Sequence, residues 1–169
     1  TNLPIPNYRE IWRLFCANFH LFRGTPSGIW LMEELASIFD VDEKPSASNA
    51  DRLFDSVSDK LSSPEFSPRR LFERFHIEVL ATTDAATDTL EHHQAIRASG
   101  WCGRIIPTFR PDAVVNLDAP NWQGDIKTLG EVCGIDIVDF DSYLRALESR
   151  RDFFRSMGAT ATDHAAPTP

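Results

Sequence analysis

Apolar residues recur at helical spacing through the first 75 residues of the chain. In residues 8–22 they fall three and four positions apart, which predicts a helix with one apolar face. Gly24, Pro26 and Gly28 then interrupt the pattern, and it resumes over residues 29–39 as a second predicted helix. This part of the chain is therefore predicted to be helical.

Two more helices are predicted from residues that mark helix N-termini. Ser48 stands three residues before Asp51, and this spacing resembles the capping box of a third helix. Ser67 followed by Pro68 matches the N-cap and first helical position of a fourth, shorter helix. The four helices define residues 1–75 as a predicted helical insertion or cap region.

The pattern changes to short apolar runs in the second half of the chain. Residues 77–81 are too few for a helix of normal length, and their apolar side chains predict a buried strand. The polar residues Thr82, Thr83 and Asp84 mark the end of this strand. A helix is predicted to follow, with Asp88 as the first residue of a second capping box.

Two more strands and two more helices complete the predicted order. The strands are at residues 104–109 and 159–162, and the helices are at residues 125–133 and 139–157. Strands that alternate with helices are joined by crossover connections and lie parallel in one sheet. Because parallel sheets are covered on both faces and three strands are few for this, residues 76–164 are predicted to be part of a larger α/β fold. Residues 165–169 form a tail.

The composition argues against several partners. The 17 basic and 25 acidic residues give a net charge of −8, which disfavours binding to nucleic acid or to an anionic membrane surface. The hydrophobic pattern predicts neither a membrane span nor a signal peptide. The three cysteines are widely spaced and form no CxxC pair, so no structural zinc cluster is expected and a reducing cytoplasm is the predicted location.

Polar side chains follow each of the three predicted strands. Asp84 ends the first strand, Arg110 and Asp112 end the second, and His164 ends the third. Catalytic and ligand-binding groups of parallel α/β folds gather at these carboxyl ends. We therefore expect Asp84 and His164 to line a site as candidate catalytic residues. The alternative is that such residues cap helices and brace loops.

Arg110 has the most specific chemistry among these candidates. Its guanidinium is planar and can bind a carboxylate or a phosphate through two parallel hydrogen bonds. The arginine follows a buried apolar strand, and Pro111 fixes the turn after it, so the side chain is expected to be held in place. We predict that Arg110 binds substrate; the alternative is a structural ion pair with Asp84 or Asp112.

No metal site is expected from the residues of this chain. His92 and His93 are adjacent on a predicted helix, so their side chains point about 100° apart and cannot bind one ion together. The sequence also contains no nucleophile elbow, no Walker loop and no dinucleotide-binding glycine pattern.

Four segments of the sequence together resemble one family, the uronate isomerases. They are residues 75–84, which read FHIEVLATTD, the LEHH step at residues 90–93, the PTFRPD element at residues 107–112, and the stretch from Arg150 to His164. Their order and spacing are similar to those of the family, and the resemblance covers nearly the whole chain.

The resemblance implies an amidohydrolase-superfamily fold, a distorted (β/α)8 TIM barrel with extra helices. It implies interconversion of aldose and ketose hexuronates such as glucuronate and fructuronate, or galacturonate and tagaturonate. It also implies a divalent metal, usually zinc, in the full-length enzyme, and a contact between Arg110 and the sugar acid. A small-molecule sugar acid is thus the expected partner, and a homo-oligomer is a further expectation.

Several family features are not found in this sequence. The His-x-His metal pair, the His-Tyr pair that serves the substrate and the later metal-binding aspartate are absent. The chain is therefore expected to be an early-to-middle segment that carries about three barrel strands and the helix-rich insertion, and to be inactive by itself. The alternatives are a metal-dependent hydrolase of the same superfamily and a non-catalytic helical interaction module.

Overall fold

The structure, a computed structural model, describes residues 7–165 of the 169-residue chain. The chain divides into two compact units, Thr1–Arg74 and Phe75–Pro169, and each has its own buried core. Within residues 7–165, no helix is both long enough and apolar enough to cross a membrane.

The first unit consists of helices. They are α1 (Tyr8–Ala17), α2 (Pro26–Phe39), α3 (Ala50–Leu61) and α4 (Pro68–Arg74), with 3-10 turns at Phe19–Phe22 and Pro64–Phe66. Leu35 of α2, Leu53 of α3 and Val41 between the two helices form the buried core. Trp12 of α1 packs against this core, and its indole N–H donates to the carbonyl of Ala50 at 2.8 Å. The predicted apolar faces therefore hold these helices together.

The first predicted helix, over residues 8–22, is interrupted in the structure. Helix α1 ends at Ala17, and Phe19–Phe22 form a 3-10 turn instead of continuing the α-helix. Asn18 stands at the break, and its side-chain amide donates to the carbonyl of Leu14 at 2.9 Å. Asparagine side chains compete in this way for backbone groups that would continue a helix.

The predicted capping box at Ser48 is wrong. Helix α3 begins after Asn49, and the Asn49 Oδ1 accepts a hydrogen bond from the backbone N–H of Ser46 at 2.8 Å, outside the helix. The Ser48 hydroxyl lies 2.9 Å from the hydroxyl of Ser46. Both polar side chains therefore stabilise the preceding turn and leave the first turn of the helix uncapped by a side chain.

The second unit is a parallel α/β arrangement. Its strands are β1 (Leu80–Ala85) and β2 (Ile105–Arg110), and its helices are α5 (Glu91–Ala98), α6 (Asp112–Val115), α7 (Trp122–Cys133) and α8 (Phe140–Ser156). The two strands pair in parallel, in a register that joins Leu80 to Ile105 and Ala85 to Arg110. The α/β class predicted from the sequence is thus confirmed.

The core of the second unit lies between the sheet and its helices. Buried residues of β2, the loops and the helices α6, α7 and α8 form one cluster; they are Ala86, Leu90, Phe109, Val114, Leu129, Ala146, Phe154 and Met157. At its centre the rings of Phe109 and Phe154 meet edge to face, with centroids 5.1 Å apart. This contact fixes α8 against the carboxyl end of β2.

Strand β1 and the helix after it begin later than predicted. The strand starts at Leu80 and runs to Ala85, so Asp84 lies within the strand and not beyond its end. Helix α5 begins at Glu91 after Leu90, and Asp88 accepts a hydrogen bond from the Leu90 N–H at 2.6 Å. The predicted capping box at Asp88 is therefore wrong, because its carboxylate closes a turn in the loop before the helix.

The third predicted strand, at residues 159–162, is reduced to a single parallel bridge between Thr162 and Phe109. The Phe109 N–H donates to the carbonyl of Ala161 at 3.2 Å, and its carbonyl accepts from the Asp163 N–H at 3.0 Å. The segment thus runs alongside β2, on the edge opposite β1, but the regular sheet of the described chain has two strands. A three-stranded barrel segment is not confirmed.

Candidate functional site

The carboxyl ends of β1 and β2 carry polar groups on both faces of the sheet. Side chains of residues paired in a parallel register share a face, and successive residues alternate. The pairing of Asp84 with Phe109 therefore places Asp84 on the face that α8 covers, and the pairing of Ala85 with Arg110 places Arg110 on the opposite face. Ala85 and Thr83 are exposed, so that face of β1 is open.

Arg110 lies at the end of β2 and is held at one nitrogen of its guanidinium. The Nε–H donates to Asp112 Oδ2 at 2.5 Å, and Asp163 Oδ2 lies 3.7 Å from the same nitrogen. The side chain is 38% exposed, and its two Nη nitrogens donate to no acceptor within the described residues. The guanidinium thus has a fixed orientation, and the four N–H groups of its Nη nitrogens are available to a ligand as far as residues 7–165 are concerned.

Asp112 connects Arg110 to the segment that runs alongside β2. Its Oδ2 accepts from Arg110, and its Oδ1 accepts from the backbone N–H of Ala165 at 3.1 Å. The exposed imidazole of His164 lies nearby, with Nδ1 3.9 Å from Asp112 Oδ1. Arg110, Asp112 and His164 are therefore brought together, and the predicted alternative of an Arg110–Asp112 ion pair is present.

Asp84 belongs to a separate, almost buried network on the helix-covered face. The Thr82 hydroxyl donates to Asp84 Oδ2 at 2.7 Å, and His93 Nε2 lies 2.8 Å from that hydroxyl oxygen. Because a hydroxyl has one hydrogen, His93 donates to Thr82 from Nε2. His93 was not among the predicted site residues. It stands on the first turn of α5, three residues before Ile96, and this helical spacing places the two half-buried side chains on one face of the helix.

Arg150 of α8 is a buried cation that the sequence analysis missed. Its Nε donates to the carbonyl of Ala86 at 2.8 Å and its Nη2 to the carbonyl of Asp88 at 2.6 Å. Burial lowers the pKa of Arg150 from its ordinary value. The sequence does hold a signal for it, because Arg150 stands four residues after Ala146 and four before Phe154, and both of these are fully buried.

The residues around Arg110 do not fit a metal ion. Asp112 and Asp163 both face the Arg110 guanidinium. The positive charge of this guanidinium would repel a metal cation placed between the two carboxylates. In the part of the chain that the structure describes, no group of three or more histidine, cysteine or acidic side chains is arranged to hold a metal. No step of a reaction on this chain is therefore assigned to a metal.

The site is thus that of an α/β protein with a fixed arginine at the carboxyl end of a parallel strand. The family model for glucuronate isomerase matches residues 6–168. The chain therefore belongs to the glucuronate isomerase family. It is 52% identical over 163 residues to the uronate isomerase of Nostoc punctiforme, and the match covers 96% of this chain and 34% of that protein. The uronate isomerase of Phenylobacterium zucineum is 47% identical over 160 residues, which cover 95% of this chain and 33% of that protein.

Solved structures of the same family share the fold of the chain. The glucuronate isomerase from Caulobacter crescentus superposes with a TM-score of 0.91 at 44% identity, over 98% of this chain and 34% of that one. The uronate isomerase from Thermotoga maritima gives a TM-score of 0.85 at 31% identity, over 94% of this chain and 35% of that one. The chain spans about a third of the length of these relatives.

Proposed function

We propose that this chain supplies the side of a uronate isomerase active site that binds the substrate carboxylate. The full enzyme would interconvert aldose and ketose hexuronates, such as glucuronate and fructuronate or galacturonate and tagaturonate. Membership of the glucuronate isomerase family supports this activity over the two alternatives, a metal-dependent hydrolase and a helical interaction module. The proposal also assigns the sugar acid as the small-molecule partner.

The proposal rests on the hydrogen bonding of the Arg110 guanidinium. Asp112 holds Nε, and no acceptor among residues 7–165 takes a hydrogen bond from either Nη nitrogen on the open face of the sheet. The edge formed by Nη1 and Nη2 matches the two oxygens of a carboxylate, which it can bind through parallel hydrogen bonds. A hexuronate differs from a neutral hexose by such a carboxylate, so Arg110 would give specificity for the acid.

The isomerisation itself moves one proton between the two neighbouring carbons C2 and C1, and one proton between their oxygens. It needs a base at the carbon and a group that stabilises charge on the oxygen. His164 is the proposed catalytic residue on this chain, because its imidazole is exposed beside Asp112 and can accept or donate a proton. The catalytic role of Asp84 stays a prediction. Its carboxylate accepts from Thr82 on the helix-covered face, whereas Arg110 lies on the opposite face of the sheet.

The architecture of the complete enzyme is part of the same proposal. The segment around Thr162 would be the third strand of a (β/α)8 barrel whose first two strands here are β1 and β2. The bridge to Phe109 supports this order, because it places the segment parallel to β2 and on its outer edge. The helices of residues 7–74 would be the insertion. A divalent metal, a homo-oligomeric assembly and the cytoplasmic location stay predictions.

The experiment that tests the function uses a full-length enzyme that carries this segment. Purified protein is incubated with glucuronate and with galacturonate, and the ketose products are quantified by chromatography. Activity on at least one uronate and none on glucose is the expected result, because glucose offers Arg110 no carboxylate. Equal turnover of glucose and glucuronate would contradict a role for the arginine in binding the acid, and no turnover of either uronate would contradict the isomerase.

A further inference from the structure

The loop between β1 and α5 is held by a buried arginine from a distant part of the chain. Arg150 is only 6% exposed, and its two side-chain hydrogen bonds go to the main-chain carbonyls of Ala86 and Asp88. Its guanidinium also lies over the ring of Phe153, 4.4 Å from the centroid. Burying a cation is costly unless it is hydrogen-bonded, and here two of the guanidinium N–H groups donate to carbonyls of one loop.

The loop adopts a backbone conformation that needs such support. Leu90, at its end, has a φ of 55°, in the left-handed region that residues with a side chain rarely adopt. Its side chain is buried, and its N–H donates to the Asp88 carboxylate. Strained residues of this kind persist only where the surroundings determine the conformation, and they are common at functional sites.

One residue of this loop connects Arg150 to Arg110. The carbonyl of Ala86 accepts from Arg150 Nε at 2.8 Å, and the N–H of the same alanine donates to the carbonyl of Arg110 at 2.9 Å. Ala86 is therefore fixed between two arginines, one buried in the core and one at the strand end. The Arg110 carbonyl is thus hydrogen-bonded to the same loop that Arg150 holds.

We propose that Arg150 is a positioning residue for Arg110, acting through Ala86. This inference rests on the proposed function, in which Arg110 binds the substrate carboxylate. A lysine at position 150 keeps the charge but cannot reach two carbonyls with the planar geometry of a guanidinium. In the Arg150→Lys variant the loop should loosen, and Arg110 should then lose its fixed place relative to the uronate.

The test compares Arg150→Lys with Leu129→Val in the full-length enzyme. Leu129 is fully buried in the same core but makes none of the loop hydrogen bonds, so its variant loses stability without releasing Ala86. Hydrogen–deuterium exchange of the peptide over residues 84–90 is followed by mass spectrometry. We expect exchange at the Ala86 amide to be roughly fivefold faster in Arg150→Lys, as for the loss of one hydrogen bond, and unchanged in Leu129→Val.

The second readout is the kinetics of the same variants on a uronate. We expect KM to rise roughly tenfold or more for Arg150→Lys and to stay unchanged for Leu129→Val. If Arg150 contributed only to stability, the two variants would not differ in KM in this way. Should Arg150→Lys be unfolded, Arg150→Gln, which keeps an N–H donor without a buried charge, replaces it with the same expectations. Unfolding of both variants, or unchanged exchange at Ala86, would overturn the proposal.

The two readouts separate this inference from the proposed function. Faster exchange in Arg150→Lys, in an enzyme whose wild type does not isomerise uronates, would support the positioning role and refute the isomerase. Faster exchange with an unchanged KM in an active enzyme would show that Arg150 holds the loop but does not position Arg110 for substrate, and would also overturn the proposal.

Discussion

Arg110 and Asp112 stand two residues apart, and the arginine Nε donates to the aspartate Oδ2 across 2.5 Å. The contact fixes one edge of the guanidinium and leaves both Nη nitrogens to other acceptors. Arg110 can therefore form an ion pair with Asp112 and bind a ligand at the same time. In sequence the two roles of Arg110 are alternatives, whereas the geometry allows Asp112 to hold the side chain that is proposed to bind substrate.

The first prediction concerns Arg110→Lys in a full-length enzyme. Lysine keeps the charge but loses the planar pair of donors, so kcat/KM for a uronate should fall roughly 10–1000-fold, or about 1.4–4 kcal/mol of transition-state binding. The melting temperature should hardly change, because the side chain is partly exposed. Arg155→Lys, at an exposed position of α8, is the matched control. Unchanged kinetics for Arg110→Lys would exclude it as the carboxylate anchor.

Replacement of the partner, Asp112→Asn, tests whether the ion pair serves binding. The amide keeps one oxygen for the Ala165 N–H, but it then turns an N–H group toward Arg110, which needs an acceptor. KM should rise roughly 10–100-fold, the range expected for a hydrogen bond between charged groups. In the double variant with Arg110→Lys, the losses should not add, because both act on one interaction. Additive losses would show that the two residues act independently.

The core contact behind the site gives a prediction for stability. Phe154→Ala should lower the free energy of unfolding by about 3–5 kcal/mol, because the ring is fully buried against Phe109 and leaves a cavity. Phe140→Ala on the same helix is the control, since that ring is 69% exposed and should cost little. Both are measured by urea denaturation. Equal losses in the two variants would contradict the placement of α8.

The cap of α8 gives a prediction for pH dependence. Asp139 accepts hydrogen bonds from the Ser142 hydroxyl and the Ser142 N–H, which hold the pKa of its carboxyl below the ordinary value of 3.8. A lowered folded-state pKa means that the stabilisation is present above the unfolded value and is lost as the pH falls through the folded one. Asp139→Asn keeps the acceptor but does not titrate.

The stability difference between the wild type and Asp139→Asn should therefore change between about pH 7 and about pH 3, with the wild type losing more on acidification. Thermal melts of both proteins at the two pH values measure it. A difference that stays constant across this range would show that the carboxylate charge contributes nothing to the cap.

A last prediction concerns metal binding to the 169-residue chain by itself. Zinc sites in proteins use three or four ligands of suitable geometry, and the described residues offer no such group. Calorimetric titration with zinc should show no stoichiometric site tighter than about micromolar. A tight site with one ion per chain would contradict this, and it would point to ligands outside the residues described.

Much of the fold could be predicted from local patterns. The helices α2, α7 and α8 lie close to their predicted ranges, because their apolar spacing and their termini are encoded in a few neighbouring residues. The boundaries that failed, at Ser48 and Asp88, failed because these side chains bond to the turn before the helix. The same residue types, such as serine and aspartate, cap helices and close turns, so the sequence does not distinguish the two roles.

The sequence by itself determined which residue types stand at the strand ends, and it placed Arg110, Asp112 and His164 in one neighbourhood. It could not determine that Asp84 and Arg110 point to opposite faces, because that depends on the register between two strands. Nor could it connect Arg150 to Ala86, which lie 64 positions apart and meet only when α8 packs on the sheet. Spacing along the chain specifies helices and strands, whereas contacts between distant segments follow from how those elements pack, and only the tertiary structure decides them.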